Sequence, residues 1–184
     1  YISLLLFIGL AWGQDTIPFN WYTSIIGNSN DIGHRDMILD SYGNYILVGD
    51  IDWANVDGNN STIIKLDSLG NVIQSISGIN PLLYSVAETN QGYIFAGEER
   101  FDTHDRNVYI VHYNYDLEEI SSLSFWQGDS AYANDIIQSS NGDFVITGGK
   151  YVATECYNAF ILTISEDLTN PVYNIFSGDD LDVD

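Results

Sequence analysis

Basic residues are scarce in this chain. Of 184 residues only 5 are Lys or Arg, against 26 Asp or Glu, for a formal net charge of −21. Nucleic-acid binding requires Lys and Arg to displace the counterions condensed on phosphate, so that class of partner is excluded. An anionic membrane surface is disfavoured for the same reason. Cysteine is nearly absent: Cys156 stands alone, which excludes an internal disulfide framework. Within Thr154-Glu155-Cys156-Tyr157 it has no attached His and Asn arrangement and reads as an incidental small residue near a strand. The three histidines, His34, His104 and His112, share no His-x-His or His-x-x-x-His spacing, so no zinc or iron site is expected. The chain also lacks a Gly-x-Ser-x-Gly elbow, a phosphate loop and a dinucleotide fingerprint. No motif in it encodes a reaction.

Long apolar runs are limited to one, Ile2-Ser3-Leu4-Leu5-Leu6-Phe7-Ile8-Gly9-Leu10, followed by Ala11-Trp12-Gly13 and the polar Gln14-Asp15-Thr16. Ala11 and Gly13 are small enough for the −3 and −1 positions of a signal-peptidase site. Residues 1–13 are therefore expected to be a signal peptide truncated at its charged start, the alternative being a buried strand or short core helix. The run is shorter than the roughly 20 residues that span a bilayer, so no membrane span is expected in the mature chain. Secretion or a cell-surface location follows from this reading. Disorder is not expected, because 45% of residues are hydrophobic and 14% aromatic, far from the composition of an unfolded chain.

What the chain has is a repeat. Gly43-Asn44-Tyr45-Ile46-Leu47-Val48-Gly49 returns as Gly92-Tyr93-Ile94-Phe95-Ala96-Gly97 and as Gly142-Asp143-Phe144-Val145-Ile146-Thr147-Gly148. The closing glycines are 48 and 51 residues apart, and a period of about 40–50 residues marks an array of four-stranded units such as a β-propeller. The apolar core of each phrase predicts a strand covered on both faces, and its last glycine predicts a bend or a close backbone approach. A strand precedes each phrase, at 37–39, 85–87 and 136–138. A third follows at 62–66, 108–112 and 160–164, and a more polar fourth, such as Val72-Ile73-Gln74-Ser75-Ile76, suits an outer edge. Asp67-Ser68-Leu69-Gly70-Asn71 and Glu166-Asp167-Leu168-Thr169-Asn170 predict the hairpin turns between third and fourth strands.

The fourth strands run into Gly78, Gly128 and Gly178, and Gly27 occupies the same place after Phe19-Asn20-Trp21-Tyr22-Thr23-Ser24-Ile25-Ile26. The fold class expected is all-β: an incomplete β-propeller over 19–184, with blades at about 35–77, 84–126 and 134–177 and an N-terminal orphan strand at 19–26. Propellers usually have four to eight blades.

Asn44-Tyr45-Ile46-Leu47-Val48-Gly49 and Lys65-Leu66-Asp67-Ser68-Leu69-Gly70-Asn71-Val72 resemble the blades of secreted bacterial β-propeller repeat proteins of the Bacteroidetes type. The resemblance covers about residues 19–178 and implies a fold and an exported protein; it implies no activity. The second and third units depart from the pattern: Tyr113-Asn114-Tyr115-Asp116-Leu117-Glu118 keeps the Asp but has no Gly-Asn turn.

Function is expected in the segments after each phrase, at 50–60, 98–107 and 149–158, where the units differ most. Asp50-Ile51-Asp52-Trp53-Ala54-Asn55-Val56-Asp57-Gly58-Asn59-Asn60 alternates oxygen-bearing side chains around a glycine and is a candidate calcium loop. It lacks the closing Glu of an EF-hand, Ser61 standing there, and the other units do not keep it. The alternative is a polar loop of turn-formers. Trp53, Phe101, Tyr151 and Tyr157 are candidate contacts for an extracellular protein or glycan, unless they fold inward. Some propellers dock quinones with a recurrent tryptophan motif, whereas Trp12, Trp21, Trp53 and Trp126 fall in unrelated places. No catalytic, cofactor or metal residue is assigned. The reading is a non-catalytic extracellular recognition or structural module. The alternative is a polysaccharide-active hydrolase or lyase, whose two carboxylates would have to face each other across a cleft.

Overall fold

The computed structural model describes residues 32–51, 60–101, 105–126, 130–152 and 156–177. The expected signal peptide, the orphan strand at 19–26, Gly27, Gly128, Gly178, His104 and Trp53 lie outside these residues. The described residues form twelve strands and no helix. They are β1 (Ile32–Leu39), β2 (Tyr45–Ile51), β3 (Asn60–Leu66), β4 (Val72–Ile79), β5 (Leu82–Glu88), β6 (Gly92–Arg100), β7 (Arg106–Asn114), β8 (Glu119–Phe125), β9 (Ala131–Gln138), β10 (Phe144–Val152), β11 (Cys156–Ile164) and β12 (Val172–Phe176). Strands pair in chain order and antiparallel, giving three four-stranded sheets, β1–β4, β5–β8 and β9–β12. These are blades 1, 2 and 3. The four-strand unit expected from the repeat is borne out in all three.

Successive side chains of a strand point to opposite faces, and blade 2 uses both. Tyr93, Phe95, Val111 and Tyr113 join Ile46, Val48 and Ile63 of blade 1 in one core. Ile94, Ala96, Val108 and Ile110 join Phe144, Ile146, Phe160 and Leu162 of blade 3 in the other. This two-sided burial makes the middle phrase apolar without alternation. The fourth strands β4 and β8 alternate between exposed and half-buried residues, as an edge with one wet face does.

The repeated glycine has a backbone cause. The first strand of each blade carries a β-bulge: the register slips between His34 and Asp36, between Leu83 and Ser85, and opposite Thr147 and Gly148. The bulge pushes a carbonyl oxygen over the neighbouring strand. A Cβ at Gly49, Gly97 or Gly148 would collide with the carbonyl oxygen of Gly33, Leu82 or Tyr132 respectively. Only glycine permits that approach.

The residue that closes each bulge links the blades. Ser85 Oγ lies 2.7 Å from Asp36 Oδ2 and 2.9 Å from Asp135 Oδ1. Asp36 Oδ2 also accepts the Val86 N–H at 3.0 Å, and Ser85 Oγ accepts the Ile136 N–H at 3.4 Å. One polar side chain per blade thus receives a backbone N–H of the next. This holds the first strands side by side and the three sheets in step.

At one edge of the stack, five of the six first-to-second and third-to-fourth connections share one hairpin, while between β5 and β6 the Thr89 N–H donates to Gly92 O. The Gly43 N–H donates to Asp40 O and the Asp40 N–H to Asn44 O; the pattern recurs at 67–71, 114–118, 139–143 and 165–169. It needs a positive φ at its fourth residue, supplied by Gly43, Gly70 and Gly142. In the third-to-fourth hairpins of blades 2 and 3 the residue is Leu117 or Leu168, with φ of 53° and 59°. The turn missing from the sequence pattern of the second unit is therefore present. Burial of Leu117 and Leu168 in the two inter-blade cores offsets a left-handed backbone that costs about 1–2 kcal/mol.

His112, on β7, is buried, with Nε2 3.0 Å from Thr89 Oγ1. Burial lowers its pKa from 6.5, and Glu166 opposes this to a lesser degree. The folded chain therefore binds this proton less readily than the unfolded one. The neutral ring's contribution to stability is complete above about pH 6.5 and is lost as pH falls from there through the lower folded-state pKa. Melting temperatures at pH 7.5 and 5.5 are expected to differ less for His112→Gln than for the unmodified chain. An equal difference in both would remove His112 as a source of acid sensitivity.

Candidate functional site

In all three blades the end of the second strand and the start of the third lie at the opposite edge, paired to Ile51↔Asn60, Arg100↔Arg106 and Val152↔Cys156. The segments 98–107 and 149–158, expected as loops, are mostly strand. β6 and β7 remain paired to Arg100↔Arg106, and β10 and β11 to Val152↔Cys156. The expected loop boundaries are thus corrected: the hydrogen-bond ladder continues beyond the glycine, since the bulge, not the end of the strand, is what requires it. Asp50 and Asn60 likewise belong to β2 and β3, and residues 52–59 of the candidate calcium loop lie outside the described residues.

Asp50 is buried and pairs with an arginine. Its Oδ2 accepts from Arg35 Nε at 2.8 Å, while Oδ1 is buried without a hydrogen-bond partner. Glu98 holds the same place in blade 2 and is 1% exposed. Its Oε1 accepts from the Tyr84 hydroxyl at 2.5 Å and from Arg100; its Oε2 lies 3.4 Å from Arg106 Nη1. Burial, and then Glu98, push the Tyr84 hydroxyl well above its ordinary pKa. Burial works against the Arg100 charge, but Glu98 and Tyr84 outweigh it and raise its pKa. The groups are contiguous, because the Arg35 guanidinium lies 5.2 Å from the Tyr84 ring centroid.

Arg35 and Tyr84 are the extra residues of the β1 and β5 bulges. Each reaches the acid that follows the repeat glycine. In blade 3 that position is Gly149, where a Cβ would meet the Tyr132 ring at 2.8 Å, and aromatic packing replaces the ion pair. Sequence reasoning passed over this network. Its signal was an acid directly after the glycine, at Asp50 and Glu98, with Arg35 14 residues before Gly49 and Tyr84 13 before Gly97.

The aromatic candidates point outward. Phe101 is 65% exposed, Tyr151 40% and Tyr157 48%. Tyr151 and Tyr157 face each other across β10 and β11 with ring centroids 5.5 Å apart, and Tyr132 packs on Tyr157 at 5.4 Å. Beside them Lys150 Nζ lies 5.0 Å from the ring of Trp126, which closes the blade 2–3 core against Phe160 at 4.6 Å. His34 sits exposed on β1, far in kind from His112, and among the described residues no three His, Cys, Asp or Glu side chains converge as metal ligands would.

No family model matches this chain, and no curated protein matches it in sequence. Solved structures do resemble it. A protein of unknown function from Bacteroides caccae superimposes with a TM-score of 0.53 at 12% identity, over 89% of this chain and 52% of its own. A variant of the apocarotenoid oxygenase of Synechocystis gives a TM-score of 0.51 at 12% identity, over 83% of this chain and 40% of its own. The chain thus spans about half the length of these structures, or less. At such identity the likeness is one of fold alone. With three four-stranded antiparallel sheets stacked in chain order, the chain has the fold of a β-propeller fragment of about three blades.

Proposed function

We propose that this chain is an exported, non-catalytic recognition module that presents the edge carrying Phe101, Tyr151 and Tyr157 to an extracellular protein or glycan. The observation that carries the reading is the exposure of these three aromatic side chains on hairpins held rigid by continuous strand pairing. Exposed rings on a rigid frame supply contact area at low entropic cost. Two described carboxylates at this edge, Asp50 and Glu98, are engaged by arginines, and Glu99 accepts from Ser124 Oγ.

A glycan array probed with the whole chain tests the proposal. Binding to at least one extracellular glycan is expected. It should drop at least about fivefold in a Tyr151→Ala/Tyr157→Ala variant, with stability changed by no more than about 1 kcal/mol because both rings are half exposed. Release of reducing ends from a polysaccharide, undiminished in that variant, would replace the module by an enzyme.

A further inference from the structure

Three of the five cationic side chains in a chain of net charge −21 stand in one patch: Arg35, Arg100 and Arg106. The two carboxylates they hold, Asp50 and Glu98, are 5% and 1% exposed, whereas the guanidinium side chains are 36%, 35% and 28% exposed. Negative charge is therefore inside and positive charge outside. Each arginine has an acid beside it in sequence: Asp36 turns to Ser85 Oγ at 2.7 Å, Glu99 accepts from Ser124 Oγ at 2.8 Å, and Asp105, half-buried, precedes Arg106. The other two cations are remote or engaged, Lys65 Nζ donating to Tyr115 O at 2.8 Å and Lys150 lying over Trp126. Phe101, directly after Arg100, offers an exposed flat ring at the same place.

Resting on the recognition role proposed above, we infer that this patch binds a glycan bearing a carboxylate. A guanidinium carries five N–H donors; Nε and Nη2 of Arg100 engage Glu98, and the donors that remain match a carboxylate's oxygens. The buried acids fix the orientation of Arg100 and Arg106 before any ligand arrives, which lowers the entropy lost on binding. The exposed Phe101 ring takes the apolar face of a sugar. The acidity of the rest of the chain sets the spacing of charge in the ligand. Beyond a Debye length of about 8 Å at physiological salt the repulsion of the remoter acids is screened, so a single carboxylate at the patch is opposed only by acids close by, Glu99 and Asp105 among them. A dense polyanion would have to lay further charges against acidic surface. The ligand is thus a sparsely charged uronate-bearing glycan rather than a polyuronate or an acidic peptide.

Calorimetric titration of the whole chain with fragments of glucuronoxylan, and with the same fragments after chemical reduction of their carboxyl groups, tests this. The native fragments should bind about tenfold more tightly than the reduced ones and more tightly than polygalacturonate or polyglutamate. The advantage should vanish in Arg100→Gln, return in part in Arg100→Lys, and shrink as salt is raised. Equal affinity for native and reduced fragments, no binding of either, or equal binding of polyglutamate would overturn the assignment. If Arg100→Gln fails to fold, the comparison of native with reduced fragments on the unmodified chain decides alone. Binding of both fragment types that depends on Tyr151 and Tyr157 would refute this assignment and leave the recognition role standing.

Discussion

Gly97→Ala is expected to lower the stability of the chain by about 3–5 kcal/mol, beyond the usual range for a single methyl group. The added Cβ would collide with the carbonyl oxygen of Leu82 and lie 2.9 Å from Leu83 Cα, and both obstacles are backbone. Neither can rotate away as a side chain would. The segment is also pinned across the blade interface, since the Leu83 N–H donates to Ser61 Oγ at 2.7 Å in a buried hydrogen bond. Relief therefore requires undoing the β5 bulge, and with it the Ser85 contacts that align three blades. Gly43→Ala is the comparison: its φ is +83° and nothing lies within 4 Å of the new Cβ, so only backbone strain of about 1 kcal/mol is at stake. Denaturant midpoints of the two variants at unchanged m-value make the measurement. Equal losses would mean that these glycines are retained for backbone freedom and that the carbonyl contact is unimportant.

That contact also explains how much of the molecule was legible in the sequence. The glycine repeat was visible because a backbone–backbone approach admits only one residue type, and it marked β2, β6 and β10 in all three blades. The first strands were read short, at three residues each, because their polar bulge residues Arg35-Asp36, Tyr84-Ser85 and Asn134-Asp135 break the apolar pattern while the strand continues through them. The hairpins beyond the glycine were read as loops for a related reason. Glu98, Arg100 and Arg106 are poor strand formers by composition, yet charge pairing across the ladder keeps them in β6 and β7. The turn at 114–118 hid behind Leu117, whose positive φ is sustained by inter-blade burial, a long-range cause that no local window contains. Phe101, Tyr151 and Tyr157 stood out by their place after the glycine, but their outward direction depends on strand register. The arginine patch escaped notice because Arg100 and Arg106 are opposed only by strand register and Arg35 joins them from another blade through the β1 bulge.

Glu98→Ala should then be the most damaging change at this edge, costing about 2–4 kcal/mol. Arg100 and Arg106 occupy directly opposed positions on β6 and β7, and like charges directly opposite each other destabilise an antiparallel pair. Glu98 stands between them, its two oxygens divided between the two guanidinium groups. Alanine would leave two facing cations and take the acceptor from the buried Tyr84 hydroxyl. Removing one member of a fully buried ion pair costs about 3–5 kcal/mol; both arginines are about one third exposed, so water recovers part of that here. Glu98→Gln keeps an acceptor for Tyr84 but not the charge, and is expected to cost about half as much. Sodium chloride separates the two contributions. Repulsion between the arginines is screened as the Debye length shortens from about 10 Å at 0.1 M to about 3 Å at 1 M, whereas the lost hydrogen bond to Tyr84 is not. The deficit of Glu98→Ala relative to the unmodified chain should therefore narrow with salt without closing. A deficit below about 0.5 kcal/mol at low salt would show that the arginines find other partners and that Glu98 does not organise the patch.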